Sequence, residues 1–487
     1  MMRVLITNAY FYRFDPKQWR DQKPYPPYGT IYAAALLRQE QYQVRLFDTN
    51  LRESPTEIKP FLEDKPDCLV IFDDGFNYLS KMCLTVMRQA ALDMIEMARP
   101  VVKHILVCSS DSTDHSEKYL QAGADYVLKG EGELSLQEVL QKLSDGIDPQ
   151  DSLGIAYLDK EGKLQSNPRR PVLKELDSLP DPAWDLIDMA AYRDLWVRNH
   201  GYFSINIATT RGCPFKCNWC AKPIYGNRYN SRSPKRVARE MAMMIREHGV
   251  QHFWVCDDIF GLRPRWVQQF RDEVRQLGIS PRYMIQSRVD LLLKEDTIDA
   301  LVDSGLDTVW VGAESGSQKI LDAMDKGTTV EQIFQATRLL QAKNVRVGFF
   351  LQFGYLTETK NDIDKTIQML LDLMPDDIGI SVSYPLPGTK FFDIVQSQLD
   401  DKQNWTDSDD LAMMYRATFS PAYYRRLHRY VHKRFRLKQA WLTMGELLRR
   451  PGYANRKRLR TVCSSAYYLP AATLDHLLLR RLQSSEA

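Results

Sequence analysis

Two series of continuous, β-branched runs alternate with helix-length segments, which restricts the chain to parallel sheets covered by helices. The first series holds RVLITNA, QVRLFD, CLVIFD, HILVCS and YVLKG within residues 1–148. Between these runs lie GTIYAAALLRQ, PTEIKPFLE, LSKMCLTVMRQAALDMIEMA and DHSEKYLQAG, the last stopped at Gly123. The pattern predicts an α/β, doubly wound, flavodoxin-like sheet with its ligand crevice outside the carboxyl ends of the strands. Its candidate binding loops are Asn8–Tyr12, Asp73–Tyr78, Ser109–Thr113 and Gly130–Glu133.

The second series occupies 201–390. SINIATT, HFWVC, YMIQS, TVWVGAE, VRVGFFLQF and IGISVSY alternate with predicted helices 234–248, 264–277, 295–304, 330–342 and 360–373. Six such repeats predict a partial (β/α)6 barrel, with chemistry at the carboxyl ends of its strands. Between the two series, 149–200 reads as a linker. It contains a hairpin turning at Lys160–Gly162 and a proline-punctuated connector, LDSLPDPAWDLID. Residues 391–487 read as a basic helical region. From Leu411 onward 16 lysines and arginines face three acids, a net +13 in a chain that is only +3 overall.

Composition enters as a constraint on class. The 487 residues, 44% hydrophobic and 26% charged, suit a multidomain globular protein. No apolar run reaches the ~18 residues of a membrane span. The first residues run straight into a strand, with no signal-peptide pattern. The expected location is cytoplasmic, with a peripheral membrane contact left open by the basic tail. Cys68, Cys83, Cys108, Cys256 and Cys463 sit mostly in apolar stretches and read as small core residues. No Ser-His-Asp, P-loop or HExxH arrangement is present.

The remaining cysteines carry the chemistry. Cys213, Cys217 and Cys220 in RGCPFKCNWC have the spacing C-x3-C-x2-C. A four-iron cluster fully ligated by protein needs four thiolates, so three leave one iron open to a small molecule. The competing readings are a zinc site and three ordinary buried cysteines. Zinc sites usually pair two C-x2-C halves around four ligands, and no second half follows.

With Trp219 before its last cysteine, the motif resembles the radical S-adenosylmethionine (SAM) signature. Most of the chain resembles the cobalamin-binding subclass of that family, including its methyltransferases and the anaerobic magnesium-protoporphyrin ester cyclases. The resemblance rests on PPYGTIYAAALLR and AGADYVLKGEGE in the first series. In the second it rests on VCDDIF, IQSRVD, VGAESG, FFLQFGYLTET and YPLPGT. It implies a [4Fe–4S] cluster on Cys213, Cys217 and Cys220, with SAM on the open iron. It places Asp257 and Asp258 near the SAM amino group, Arg288 at its carboxylate, and Glu314 and Ser315 at the ribose. Gly312, Gly348 and Gly354 would let the backbone approach the adenine. Cobalamin would lie against Asn8, Asp73, Phe76, Asn77, Tyr78, Ser109, Ser110, Gly130 and Glu131, with Phe76, Asn77 and Tyr78 beneath the corrin. Two departures matter. No D-x-H-x-x-G occurs in 1–150, where the histidines are His104 and His115, so cobalt would lack a histidine ligand. CSSDSTDH stands where relatives usually show a glycine pair, which would crowd the nucleotide tail.

The resemblance implies a methyltransferase acting on an unactivated carbon through a 5′-deoxyadenosyl radical and methylcobalamin. The alternative is an oxidative cyclase or ring-rearranging enzyme. A third reading is a noncatalytic cobalamin-sensing or electron-carrying protein. The implied partners are a small-molecule substrate, anionic or lipid-like, and a reductant such as flavodoxin or ferredoxin. In the basic tail, Arg425, Arg426 and Arg429 interleave with aromatics and would suit an anionic substrate or a membrane surface. Nucleic acid ranks lower, because no reader fold is visible.

Overall fold

The computed structural model describes residues 2–82, 84–222, 224–399, 405–406, 411 and 413–484. Its first sheet contains β1 (Arg3–Thr7), β2 (Gln43–Phe47), β3 (Cys68–Phe72), β4 (His104–Cys108) and β5 (Tyr126–Leu128). They pair in parallel in the order β2-β1-β3-β4-β5. Every residue of the central β3, CLVIF, is buried, as an unbroken apolar run with helices on both faces requires. Helices Tyr28–Gln39 and Glu133–Ser144 cover one face with Ala33, Leu37, Leu136 and Leu140. Helices Thr85–Ala98 and Ser116–Gln121 cover the other with Met87, Met94, Ile95 and Tyr119.

The hairpin read as part of the linker belongs to this sheet. Its strands β6 (Ile155–Leu158) and β7 (Leu164–Ser166) add antiparallel to β5 and extend the edge. Ile155 and Ala156 are buried there, while LQS of β7 is a solvent-facing edge. The connector that follows is also packed: Trp184, Tyr192 and Trp196 are buried in a core shared with the second unit.

Six strands form the second sheet. β8 (Ser204–Ile207) enters a two-residue ribbon, β9 (Thr210–Arg211) with β10 (Asn230–Ser231). β11 (His252–Val255), β12 (Tyr283–Ser287), β13 (Leu306–Glu314), β14 (Arg346–Phe353) and β15 (Asp377–Val382) follow. All six pair in parallel and in chain order, a curled half-barrel. Val309, Val311, Ala313, Val347, Phe349 and Leu351 point to the helices and are buried. The intervening Trp310 and Phe350 are half-buried and stack at 4.8 Å between ring centroids.

The two units share one hydrophobic core. Tyr28, Ile31, Tyr32 and Phe76 of the first pack with Tyr225, Val237 and Met241 of the second. Buried polar groups cross the same boundary. Arg232 donates to the Tyr28 hydroxyl at 3.0 Å and pairs with Glu240 at 2.6 Å, and Trp184 Nε1 donates to Glu240 at 3.2 Å.

The basic tail has two structural parts. The start of helix Pro421–Arg449 buries Tyr423, Tyr424, Leu427, Val431 and Phe435 in the shared core. The chain then turns through Pro451–Tyr453 and Arg456–Cys463 and returns as helix Ser465–Ser484. Asp475, 1% exposed, holds the two long helices together by accepting from Arg426 and Lys433, each at 2.7 Å. Arg426 is therefore part of the packing, whereas Arg425 and Arg429 are exposed.

Candidate cluster and cofactor site

The cysteine loop leaves β8 at the carboxyl end of the half-barrel. Asp257, at the end of β11, anchors its start by accepting from the backbone of Thr209 at 2.6 Å and Thr210 at 2.9 Å, and from the Thr209 hydroxyl. Gly212 has φ of +78°, and a Cβ there would lie 2.5 Å from the Arg228 carbonyl. The sharp entry to Cys213 therefore requires glycine. Cys213, Cys217 and Cys220 follow as free, half-buried thiols.

Cations gather around these thiols. Arg288 stacks on Phe215 at 3.7 Å and its Nη1 lies 3.9 Å from Cys217 Sγ. It is oriented by Asp290 at 2.9 Å and the Lys326 carbonyl at 2.7 Å. Lys326 is buried, pairs with Glu314 at 2.8 Å and also feels the Cys217 sulfur. Burial pushes the Cys213 thiol up and Cys220 to about 12, while the Lys222 ammonium pulls both back. Thiols shed their protons on binding metal, and cations on this side favour the thiolate form. Among the described residues no three His, Cys, Asp or Glu side chains converge on a single-ion site. A cluster puts each thiolate on a different iron, so three cysteines of one loop fit it without such convergence.

The first unit reaches the carboxyl end of the half-barrel beside this loop at two places. Lys81, from the short helix Tyr78–Lys81, pairs with Asp258 at 2.5 Å. Burial opposes the charge on Lys81, and the Asp258 carboxylate outweighs it. Arg211 is clasped by Glu131 and Glu133, the latter at 2.7 Å, with all three side chains no more than 6% exposed. The sequence reading placed Glu131 at cobalamin and singled out neither Arg211, Lys81 nor Lys326. These pairings join residues far apart in sequence and carry no periodic signal.

The residues expected at SAM divide. Asp258 acts on the Cys213 and Cys220 thiols, Arg288 lies against Cys217, and Gly312 adjoins the Glu314–Lys326 pair, whose lysine also feels Cys217. A Cβ on Gly312 would sit 2.6 Å from both Glu314 Oε1 and Lys326 Nζ, so glycine admits that ion pair. Glu314 itself has φ of +55°, beside an irregularity in the β13–β14 pairing, and strained backbone of this kind concentrates at functional sites. The others are spent elsewhere. Asp257 holds Thr209 and Thr210. Ser315 is fully buried, sharing a 3.0 Å hydrogen bond with Thr366. Gly348 makes room for Trp310, whose ring atoms would lie 2.5–2.7 Å from an added Cβ. Gly354 is covered by the C-terminal region: Tyr415 donates to its carbonyl and Met413 Cε would be 2.9 Å from a Cβ.

The cobalamin set divides similarly. A cleft of about 290 Å³ opens at the carboxyl ends of β1 and β3, lined by Ala9, Asp73, Ser80, Leu84, Arg88 and Asp111 among others, with no histidine. Asp73 accepts from the Ala9 amide at 2.7 Å, and burial pushes its carboxyl up to about 7. The hydroxyls of Ser80 and Ser110 are buried without a hydrogen-bond partner. Such orphaned donors, with a carboxyl half-protonated near neutrality, fit a polar ligand with amide groups. Asn8 accepts from Thr49 at 2.8 Å, Asn77 caps the Leu79 amide at 3.0 Å, and Gly130 has φ of +75°. Ser109 caps the helical turn Ser110–Asp114, whose Asp111 is bound by Arg88 and, at 2.7 Å, by Tyr119. This turn fills the place where a glycine pair was missing from the sequence. Phe76 is not at the cleft face: it is 4% exposed and packs on Tyr28 and Tyr225. The side chain of Tyr78 lies outside the described residues, as does Cys83. Cys68, Cys108 and Cys256 are buried as expected, whereas Cys463 is exposed.

Residues 207–370, which contain the three thiols and β11–β14, match the model of the radical SAM superfamily. The chain carries a radical SAM domain. It is 27% identical over 387 residues to an uncharacterized methyltransferase of Pyrococcus horikoshii, covering 78% of this chain and 81% of the relative. It is 28% identical over 283 residues to the anaerobic magnesium-protoporphyrin IX monomethyl ester cyclase of Rubrivivax gelatinosus, covering 57% of this chain and 49% of the cyclase. The chain thus spans about half of that cyclase. The structure of the cobalamin-dependent SAM radical enzyme OxsB superposes with a TM-score of 0.73 at 18% identity, over 98% of this chain and 72% of that one. The fold is shared from the first sheet through the tail. The superfamily match and the methyltransferase similarity make the chain an enzyme.

Proposed function

We propose that this enzyme is a cobalamin-dependent radical SAM methyltransferase acting on a small-molecule carbon centre. The observation that carries the reading is the three-thiol loop at the mouth of a half-barrel, its entry at Arg211 held by Glu133 of the first domain and the neighbouring strand end held through Lys81–Asp258. When bound, the cluster with SAM supplies a 5′-deoxyadenosyl radical, and cobalamin supplies a transferable methyl group. Cys213, Cys217 and Cys220 would hold three irons of the cluster. Asp258 and Glu314 offer carboxylates to the SAM ammonium and ribose, and Arg288 offers its guanidinium to the SAM carboxylate. Asp73, Ser80 and Ser110 would bind the polar periphery of cobalamin, with no histidine among the cleft residues to ligate cobalt. Reduction of the cluster calls for a protein donor such as flavodoxin or ferredoxin.

A second reading, oxidative ring formation, is supported by the similarity to the ester cyclase. Anaerobically reconstituted protein incubated with SAM and a low-potential reductant separates the two without the natural substrate. With cobalamin included in the reconstitution as the methyl acceptor, a methyltransferase would release S-adenosylhomocysteine, up to one equivalent per cobalamin, as well as 5′-deoxyadenosine. A cyclase releases 5′-deoxyadenosine alone, and that result would overturn the first reading.

A further inference from the structure

We propose that the tip of the C-terminal helical hairpin is a docking surface for an anionic lipid bilayer. More than half of the strongly exposed large apolar side chains among the described residues fall between Trp441 and Leu477. At the tip these include Trp441, Leu442, Leu448, Tyr453, Leu459 and Tyr467, from 50% exposed at Trp441 and Leu459 to 77% at Leu448. Scattered single apolar residues on a surface are ordinary; a cluster on one projecting element marks an interaction site. The base of the same helix shows the contrast, since Tyr423, Leu427, Val431 and Phe435 are buried against the half-barrel. The sequence stays apolar past the point where the protein stops covering it.

Charge selects the occupant. Residues 441–463 carry Arg449, Arg450, Arg456, Lys457, Arg458 and Arg460 against the single acid Glu446. Glu446 faces Arg458 at 3.5 Å. Asp475 on the returning helix offers no compensation, because it is buried and bound to Arg426 and Lys433. Arg450 and Arg458 lie over the Tyr453 ring at 5.7 and 5.3 Å. Aromatic rings and leucines flanked by arginines match the interfacial layer of a bilayer, where the apolar groups enter the acyl boundary and the cations meet anionic headgroups. No helix among the described residues is long and apolar enough to cross the membrane, so the hairpin would lie on the surface.

The test is flotation of the full-length protein with vesicles of phosphatidylcholine alone or with phosphatidylglycerol added. Binding is expected only with the anionic vesicles, and is expected to weaken in high salt. Each surface cation contributes about a fivefold change in partitioning. The combined variant Arg456→Glu, Lys457→Glu and Arg460→Glu is thus expected to bind at least about a hundredfold more weakly. Leu448→Glu with Leu459→Glu is expected to abolish binding at unchanged helical content, since both side chains are exposed. Sedimentation analysis without lipid reads the competing occupant. A dimer that dissociates in the leucine variant would assign the face to a second copy of this chain and overturn the proposal. Absence of binding to anionic vesicles, or equal binding by the charge variant, would also overturn it.

Discussion

Arg211, two residues before Cys213 of the three-thiol loop, is held at 2.7 Å by Glu133 of the first domain. Glu131 clasps the same guanidinium, and all three groups are buried at the domain boundary. The geometry of the cysteine loop is therefore set partly by a domain that contributes no thiol. Removing one partner of a buried pair leaves an uncompensated charge, at a cost of roughly 3–5 kcal/mol. Glu133→Gln is expected to lower the melting temperature and the iron content after reconstitution together. Iron content unchanged at a lowered melting temperature would reduce the pair to a stability role.

The Trp310–Phe350 stack depends on Gly348. Gly348→Ala puts a methyl into the Trp310 ring, and overpacking of this kind costs about 1–3 kcal/mol. The expected outcome is a destabilised protein with altered Trp310 fluorescence and near-normal SAM affinity by calorimetry. A large loss of SAM affinity at unchanged stability would return Gly348 to the adenine site expected from sequence.

Glu358 gives a pH signature. It accepts from the Gly354 amide at 2.7 Å, and burial pushes its carboxyl up to about 8. The folded state thus holds a proton that the unfolded chain releases from about pH 4.5 upward. Stability from this group falls as pH rises from there to about 8, by at most about 1.4 kcal/mol per unit. Glu358→Gln is expected to flatten the fall in melting temperature between pH 6 and 8 and to raise it at pH 8. A wild-type curve that rises over that range would contradict the assignment.

Both sheets were legible because buried parallel strands are written as unbroken apolar runs. CLVIF and VRVGFFLQF could be read without knowing their neighbours. The β6–β7 hairpin was visible as a hairpin, but its docking on β5 was not, since LQS of β7 has no apolar face. The three thiols, Asp258, Arg288 and Glu314 could be singled out as candidates by motif. The Lys326–Glu314, Lys81–Asp258 and Arg211–Glu133 pairs could not, because each is made by chain segments that meet only after folding. At two strand ends the sequence did not show what the side chains bond to: Asp257 accepts from Thr209 and Thr210, and Ser315 shares a hydrogen bond with Thr366.

The three-cysteine loop is the centre of the account, and one comparison tests it directly. Wild-type and Cys213→Ala protein are reconstituted with iron and sulfide, reduced, and followed by EPR and 5′-deoxyadenosine release from SAM. The wild type is expected to show a reduced [4Fe–4S] signal that changes when SAM is added, with release of 5′-deoxyadenosine. Cys213→Ala is expected to lose both, and Cys463→Ala, exposed in the tail, to keep both. SAM cleavage retained in Cys213→Ala would contradict the assignment.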